Sequence, residues 1–516
     1  MSPKRALLVF LLILVIYPLG LAAISQVRPL DGDEGYYASA ARLVSEGRTP
    51  YEDFFYPQMP LLPYVYAPFY KMVGSSLASM RLLSVFLSSL ALVLWGLFLR
   101  ARFGDRPMFV VGGLLLVAMN PYLLSWNVTV KTYALSNLGV FAALWAVDRG
   151  FQSRRAVWFL VAGLAAGFVV EARLLYLPWA GSLLVALAWI RWRHPGAGVS
   201  HSSVAATGVG FLLGLVPAFR LYIADPARFR FNNLDYHNLR FSPLDRAGGD
   251  EVPQLAAAFL ELGRSLFLNP YMVVLILLAV VGWVTVRRSL DSRDRDLQPV
   301  VLVAGVGAVV HTVACLFPDP VHGQYFTSPL APMLAPLALL GVVDLARRFG
   351  RPTTLVTAVV VLCCVLSFVD LQVRRTGINW DEVWDFEHLN EVSANIEART
   401  EPGDMVLAFW SGYVFETGRR FVPGMENHFA LGVSEKLPLN RQIEDHIAGK
   451  ELLLKAILTK APTVVVLGGW MHEVNTTLEQ KDIPLLLQEL DNNYEIAWMK
   501  GEVKVMVRRP GPGLNI

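Results

Sequence analysis

Long apolar stretches recur along the chain from residue 6 to residue 370 and then stop. Most have about 17 to 22 residues, the length that crosses a hydrocarbon core of roughly 30 Å as an α-helix. The pattern predicts spans near residues 6–24, 80–99, 107–124, 133–147, 156–170, 174–190, 204–222, 269–286, 297–316, 326–345 and 353–370. We therefore expect an α-helical polytopic membrane protein with about eleven transmembrane helices.

The hydrophobic pattern changes near residue 385, where shorter helix-like and strand-like segments alternate. Helix-like segments lie at 385–399, 439–460 and 485–490, and strand-like segments at 405–410, 463–467, 494–499 and 502–508. Such alternation predicts a small sheet covered by helices. Two domains are expected: a transmembrane domain over residues 1–370 and a soluble α/β domain over residues 371–516, for which a packing or acceptor-docking role is favoured.

Composition excludes an ordinary soluble protein, because 54% of the residues are hydrophobic and only 17% are charged. The formal net charge is +3, and no basic patch with interleaved aromatic residues indicates a nucleic-acid partner. The chain has three cysteines, from which neither a disulfide framework nor a metal site can be built. Composition and charge alone therefore predict membrane lipids as partners.

Basic residues mark every second loop between the predicted spans, and such residues are retained on the cytoplasmic side. They are Lys4, Arg5, Arg100, Arg102, Arg106, Arg149, Arg154, Arg155, Arg191, Arg193, Arg287, Arg288, Arg293, Arg295, Arg347, Arg348 and Arg351. The N-terminus is therefore expected in the cytoplasm. With an odd number of spans, the C-terminal domain is expected outside the plasma membrane.

Two long loops are expected on the outer side, at residues 25–79 and 223–268. The first begins with helical spacing from Asp33 to Glu46, which predicts an amphipathic helix along the membrane surface. A proline-interrupted broken helix is expected over 59–70. The second loop contributes to a run of six arginines between Arg220 and Arg264, and this excess fits either an anionic ligand or a solvated surface.

The first outer loop contains an acidic pair, Asp33 and Glu34, which supports two interpretations. Asp31 and Glu34 have the spacing of a capping pair at the start of a helix. A carboxylate at an outer membrane surface can also take a proton from an acceptor hydroxyl or bind a divalent cation. The residues alone leave both interpretations open.

Four features of the sequence occur in an informative order. They are Asp33-Glu34 with Tyr36-Tyr37; Gly47-x-x-Pro50-Tyr51 continuing to Tyr56-Pro57-x-x-Pro60-Leu61; Arg173 before Leu177-Pro178; and His322-x-x-Tyr325 with Pro329 and Pro332. Together they resemble the GT-C superfamily of membrane glycosyltransferases, within it the branch of protein O-mannosyltransferases and the lipid A aminoarabinose transferase. The resemblance covers most of residues 1–370.

The resemblance implies a GT-C fold and inverting transfer of a sugar from a polyprenyl-phosphate donor to an acceptor hydroxyl of a protein, glycolipid or polysaccharide. Asp33 matches the family's catalytic acid position, with Glu34 in support. The implied donor-phosphate residues are Lys131, Arg173, Arg240, His322 and Tyr325, and the implied substrate contacts are Tyr36, Tyr37 and Tyr56. A divalent cation is left open as a cofactor. Two departures concern the aminoarabinose type: Gly35-Tyr36 stands where those relatives carry an arginine, and Tyr56-Pro57-Gln58-Met59 lacks their second acid.

Three of the implied donor-phosphate residues have a simpler alternative role. Lys131 could anchor a span at the interface, Arg173 could form an exposed ion pair with Glu171, and His322 could be an ordinary surface histidine. A transporter or flippase of a lipid-linked sugar is the alternative function. The predicted spans are almost free of charged residues, whereas transport paths usually contain them, and this counts against transport.

Overall fold

A computed structural model describes residues 3–194, 196, 198–240, 254–288, 298–318, 321–377, 385–468 and 482–509. Most of the described residues are helical, and a small sheet lies near the C-terminus. Residues 241–253, part of the second predicted outer loop, lie outside the described residues.

The first half of the chain forms helices joined by short connections. They are α1 (Pro3–Val27), α2 (Gly32–Ser45), α3 (Leu61–Val73), α4 (Leu77–Phe103), α5 (Pro107–Ala118), α6 (Pro121–Trp126), α7 (Thr132–Ser153), α8 (Ala156–Ala172), a 3-10 turn (Leu174–Tyr176) and α9 (Leu177–Arg193). Apolar side chains from most of these helices and from those that follow them form one continuous core, whereas α2 and α3 pack in a second cluster with the C-terminal part of the chain.

The helical part continues to residue 377. Its elements are α10 (His201–Gly214), α11 (Val216–Ala224), α12 (Pro226–Arg230), a π-helical turn (Phe231–Asp235), α13 (Tyr236–Arg240), α14 (Gln254–Phe267), α15 (Pro270–Arg288), α16 (Gln298–Ala314), α17 (Gln324–Phe349) and α18 (Pro352–Gly377). Helix α17 contains three prolines and remains continuous.

Five described helices are long and apolar enough to cross a membrane, and two strongly bent pairs raise the number to seven. The bends are 53° between α10 and α11 and 87° between α14 and α15. Three further apolar helices, α5, α8 and α16, are shorter. The expected count of about eleven spans is therefore not confirmed, because several apolar stretches are divided or shortened in the fold.

Glycine spacing brings α8 and α10 into close contact. Gly163 and Gly167 on α8 face Gly210 and Gly214 on α10, and a Cβ atom at Gly163 would lie 2.0 Å from the carbonyl oxygen of Thr207. Small residues four apart allow two helix backbones to approach in this way. The contact fixes the end of α8, after which Arg173 follows.

The C-terminal α/β unit comprises the described residues from 385 to 509. It contains α19 (Phe386–Glu397), β1 (Met405–Ala408), α20 (Ser411–Thr417), β2 (Arg420–Phe421), a 3-10 turn (His428–Ala430), α21 (Leu431–Ser434), α22 (Leu439–Glu444), α23 (Lys450–Leu458), β3 (Val464–Leu467), α24 (Asp482–Asn493), β4 (Tyr494–Lys500) and β5 (Val503–Arg508).

The five strands form one sheet in the order β2-β1-β3-β5-β4. Strand β1 pairs in parallel with β2 and β3, and β5 pairs antiparallel with β3 and β4. All four residues of β3 are buried, as expected for a central strand covered on both faces. The predicted small α/β sheet and its terminal hairpin are confirmed, whereas the helix expected over 439–460 is two helices.

Two expectations for the first outer loop differ from the structure. Helix α2 is not an amphipathic helix with one open face, since 11 of its residues are buried and the C-terminal α/β unit covers it. The stretch expected as a broken helix is the single helix α3, which contains Pro68. In α2, the apolar spacing reports contact with protein rather than with lipid.

Candidate active site

Helix α2 begins with a capping box that fixes the acidic residues. The Asp31 carboxylate accepts the Asp33 amide at 3.1 Å, and the Glu34 carboxylate accepts the Asp31 amide at 2.9 Å. The capping interpretation is confirmed for Asp31 and Glu34. It leaves Asp33, the residue between them, with its carboxylate outside the box.

Glu34 lies in a fully buried ion pair with Arg81, since both side chains are 0% exposed. The Arg81 Nε donates to Glu34 at 2.8 Å, and the backbone amide of Val130 donates to the same oxygen at 2.9 Å. Arg81 also donates to the carbonyls of Ser25 and Arg28. This network joins α2 to α4 and to the segment before α7, and it leaves Glu34 no surface for a substrate.

Lys131 bridges the two other carboxylates at the start of α2. Its Nζ lies 2.8 Å from Asp31 Oδ1 and 2.7 Å from Asp33 Oδ2. The Lys131 side chain is 4% exposed, whereas Asp33 is 30% exposed. Burial alone would lower the pKa of Lys131, but the two carboxylates raise it, so the ammonium stays charged. Asp33 is the acid of this group that a ligand can reach.

Arg173 follows α8 and lies between two aromatic rings. Its guanidinium carbon is 5.1 Å from the centre of the Tyr133 ring and 4.5 Å from that of Tyr325. Within the described residues, no carboxylate pairs with it. The expected alternative, an ion pair with Glu171, is wrong, because Glu171 accepts the Ala218 amide instead. A half-buried cation held by aromatic faces is suited to an anionic ligand.

His322 and Arg240 lie at the edge of this group. The His322 ring packs edge-on against Tyr325 with centroids 5.2 Å apart. Partial burial lowers the pKa of His322, and Arg173, Lys131 and Arg240 lower it further, whereas Asp33 raises it. The Arg240 guanidinium lies 4.4 Å from the centre of the Phe429 ring. The fold therefore brings together the predicted cations around Asp33.

The three predicted tyrosines form one wall beside Asp33. The rings of Tyr36 and Tyr37 are 4.2 Å apart, and each lies 6.3 Å from the ring of Tyr56. Burial raises the pKa of all three phenols. They stay protonated at neutral pH, so the wall offers aromatic faces and hydroxyl groups without negative charge.

The acidic residues at the start of α2 do not fit a divalent cation. Across the described part of the chain, no group of three or more His, Cys, Asp or Glu side chains could hold a metal ion. Between the carboxylates of Asp31 and Asp33, the Lys131 ammonium is the shared cation. Positive charge at this place comes from the protein itself.

The C-terminal α/β unit docks directly on α2, a contact that the sequence did not predict. The Trp410 indole donates to the Gly32 carbonyl at 2.9 Å. A Cβ atom at Gly35 would lie 2.6 Å from the Gly412 amide nitrogen. Two backbone carbonyls near Gly418 accept the Arg42 guanidinium at 2.8 and 3.0 Å. Gly35 thus lets this unit approach the α2 backbone closely.

Glu416 connects the same unit to α4 and makes the contact depend on pH. Its carboxylate accepts the Leu77 amide at 2.9 Å. Burial raises the pKa of Glu416 from 4.5 to about 7, and the Leu77 hydrogen bond opposes the rise. The stability that this group contributes is therefore fully present below pH 4.5 and is lost as the pH rises to about 7.

We expect Glu416→Gln to remove this loss of stability at higher pH, because glutamine keeps the acceptor oxygen and stays neutral. At pH 8 the variant should be more stable than the wild type by on the order of 1–2 kcal/mol, allowing for partial solvent screening. Thermal unfolding from pH 5 to pH 8 measures the effect. The exposed Glu401→Gln is the control, and equal pH slopes for the wild type and Glu416→Gln would contradict the assignment.

Comparison with solved structures identifies the fold. ArnT from Cupriavidus metallidurans in the apo state matches with a TM-score of 0.64 at 14% identity, covering 98% of both chains. The structure of ArnT bound to undecaprenyl phosphate matches with a TM-score of 0.62 at 15% identity, again over 98% of both chains. ArnT is a GT-C glycosyltransferase. The present chain has the GT-C fold.

The GT-C match extends over both the helical part and the C-terminal α/β unit. The resemblance drawn from sequence motifs is thereby confirmed at the level of fold, and the protein is a multi-pass membrane protein. No protein-family model matches the sequence, and no curated protein matches it significantly. At identities this low, the fold is shared while the site residues must be argued from their own geometry.

Several residues of this site were not predicted from the sequence. Arg81 was counted within a predicted span, although a charged residue at a span end is a signal for a buried partner. Trp410 and Phe429 belong to a segment more than 370 residues from α2, and neither periodicity nor motif spacing reports such contacts.

Proposed function

We propose that this protein is an inverting glycosyltransferase that moves a sugar from a polyprenyl-phosphate carrier to an acceptor hydroxyl. The observation that best supports the proposal is the pairing of an accessible carboxylate, Asp33, with the cations Lys131 and Arg173 in a GT-C fold. ArnT, which shares this fold, is known with undecaprenyl phosphate bound. A lipid-linked donor suits a site at the end of a membrane helix bundle.

Asp33 acts as the general base in this proposal. As the acceptor oxygen forms its bond to the anomeric carbon, the Asp33 carboxylate takes the hydroxyl proton. The bond from the anomeric carbon to the carrier phosphate oxygen breaks on the opposite face, which inverts the configuration. The electron pair leaves with the phosphate, which changes from a singly charged diester to a more highly charged monoester.

Lys131 and Arg173 stabilise this developing charge, since cations placed around a leaving group bind the transition state more strongly than the substrate. Arg240, His322 and Tyr325 complete the phosphate side of the site, and His322 supplies a hydrogen-bond donor at its edge. The wall formed by Tyr36, Tyr37 and Tyr56 contacts the substrate on the Asp33 side. Glu34 is a positioning residue that fixes α2 through Arg81.

The reaction is proposed to occur on the extracytoplasmic side of the plasma membrane. The arginine-rich short loops favour a cytoplasmic N-terminus and an outer C-terminal domain, divided near residue 370. The acceptor hydroxyl belongs to a protein, glycolipid or polysaccharide. A role for the outer domain follows from its contact with α2, because it helps to hold the helix that carries Asp33.

Transport of a lipid-linked sugar is the less favoured function. A transport path would need charged or polar groups along the depth of the bundle. The Asp33 group and the Glu34–Arg81 pair lie instead at one end of the helices, at the start of α2 and α4. This placement is expected for a reaction at the membrane surface and not for a path through the helix bundle.

Arg173→Gln tests the donor side of the proposal. We expect the dissociation constant for undecaprenyl phosphate to rise about 10- to 100-fold, the value of a lost charge-assisted contact. The variant should still fold, because Arg173 has no carboxylate partner in the described residues and only its contacts with the Tyr133 and Tyr325 rings are lost. Binding to purified protein measures this. The matched control is Arg230→Gln, whose side chain is 70% exposed. Unchanged affinity in Arg173→Gln would contradict a phosphate role.

A further inference from the structure

Four buried polar groups adjacent to Arg173 form no hydrogen bond of normal geometry with the described residues. They are the hydroxyls of Tyr133, Ser136 and Tyr176 and the Nδ1 atom of His311, and we call them the inner polar cluster. All four side chains are at most 1% exposed. Buried polar groups are nearly always hydrogen-bonded, so four at one place leave hydrogen bonds that a polar ligand or ordered water can complete.

Contacts between the four side chains place them together beside the proposed phosphate site. Tyr133 stacks on Arg173, and Ser136 lies three residues further along the same face of α7. The Tyr176 side chain approaches Ser136, and its ring centre lies 4.8 Å from that of His311. The cluster is therefore about one helical turn, roughly 5 Å, from the start of α7. A sugar joined to a phosphate at Arg173 can reach it.

The hydrogen-bonding character of His311 distinguishes between ligand groups. Its Nε2 lies 3.1 Å from the carbonyl oxygen of Tyr325, which can only accept, so Nε2 carries the proton. In a neutral ring with its proton on Nε2, Nδ1 is an acceptor. Phosphate oxygens also accept, and they would be repelled by Nδ1. A sugar hydroxyl both donates and accepts, as the cluster requires.

We propose that the inner polar cluster binds hydroxyl groups of the donor sugar, while Arg173 holds the carrier phosphate beside it. The proposal rests on the proposed glycosyltransferase function and names the part of the donor that these side chains contact. The Tyr133 and Tyr176 rings add apolar faces for the sugar carbons. Ordered water is the competing occupant, since it also donates and accepts.

The test compares lipids with and without a sugar on the full-length protein. Undecaprenyl phosphate and the undecaprenyl-phosphate derivatives of glucose, mannose and galactose are the probes. The variant is Ser136→Ala combined with Tyr176→Phe, which removes two hydroxyls with little change in volume. We expect affinity for the best-bound sugar lipid to fall roughly tenfold or more and affinity for undecaprenyl phosphate to stay the same.

The matched control is Tyr271→Phe, because the buried Tyr271 hydroxyl already donates to the Leu116 carbonyl. It should leave both affinities unchanged and lower thermal stability. The double variant removes both hydroxyls of the Ser136–Tyr176 contact and leaves neither buried without the other, so it should stay close to wild-type stability without ligand. Equal losses of affinity for both lipids would assign the cluster to phosphate, and no loss for either would assign it to water; each result overturns the proposal.

If the wild type binds undecaprenyl phosphate but no sugar lipid, this inference alone fails. If it binds neither, the proposed function fails as well.

Discussion

Asp33→Asn is expected to abolish sugar transfer while the protein still folds and reaches the membrane. An asparagine keeps the size of the side chain but cannot take the acceptor proton, a change that typically costs about 10²- to 10⁴-fold in rate. Asp33 is 30% exposed and does not form the capping box, so the substitution should affect chemistry more than stability. Lys131 keeps Asp31 as a partner.

The measurement supplies labelled polyprenyl-phosphate sugars to membranes containing either the wild type or Asp33→Asn and follows label in the acceptor fraction. Membranes lacking the protein give the background. Asp235→Asn is the matched control, because Asp235 pairs with the exposed Arg230 away from the Lys131 bridge. Wild-type transfer by Asp33→Asn would remove Asp33 from the mechanism.

Glu34→Gln should instead act on stability. Arg81 would keep its charge in a site with 0% exposure, and breaking a buried ion pair in this way typically costs about 3–5 kcal/mol. The glutamine amide would also face the Asp31 and Val130 amides that now donate to the carboxylate. Thermal unfolding of purified protein in detergent measures the loss.

The control for Glu34→Gln lies at the other end of the same helix. Glu46 pairs with Arg42 and its side chain is 44% exposed, so Glu46→Gln should change stability by less than about 1 kcal/mol. A positioning role predicts that any residual transfer by Glu34→Gln keeps the pH profile of the wild type, because Asp33 remains the base. A shifted pH profile would indicate that Glu34 itself exchanges protons with the substrate.

The sequence predicted those features that depend on neighbours along the chain. Apolar runs located the long helices, a β-branched run located β3, and strand-like segments located β1 and the hairpin of β4 and β5. The order of short motifs predicted the fold. Counting spans from hydropathy did less well, because α10–α11 and α14–α15 bend by 53° and 87° and an apolar run does not report such bends.

The candidate site was predicted in its parts and not in its arrangement. Asp33, Lys131 and Arg173 were named individually, yet nothing in their spacing showed that Lys131 bridges two carboxylates or that Arg173 lies between aromatic rings. Glu34 and Asp33 are adjacent in sequence but face opposite environments. Helical rotation of about 100° per residue directs one into the bundle and the other toward solvent.

The docking of Trp410 and Gly412 on α2 sets the order in which this protein can mature. The helix that carries Asp33 is synthesised some 380 residues before the residues that cover it. Contacts of such long sequence separation form late in folding. The protein surface that covers α2 is therefore completed only after the segment around Trp410 has been made, so a partly synthesised chain lacks one side of the site.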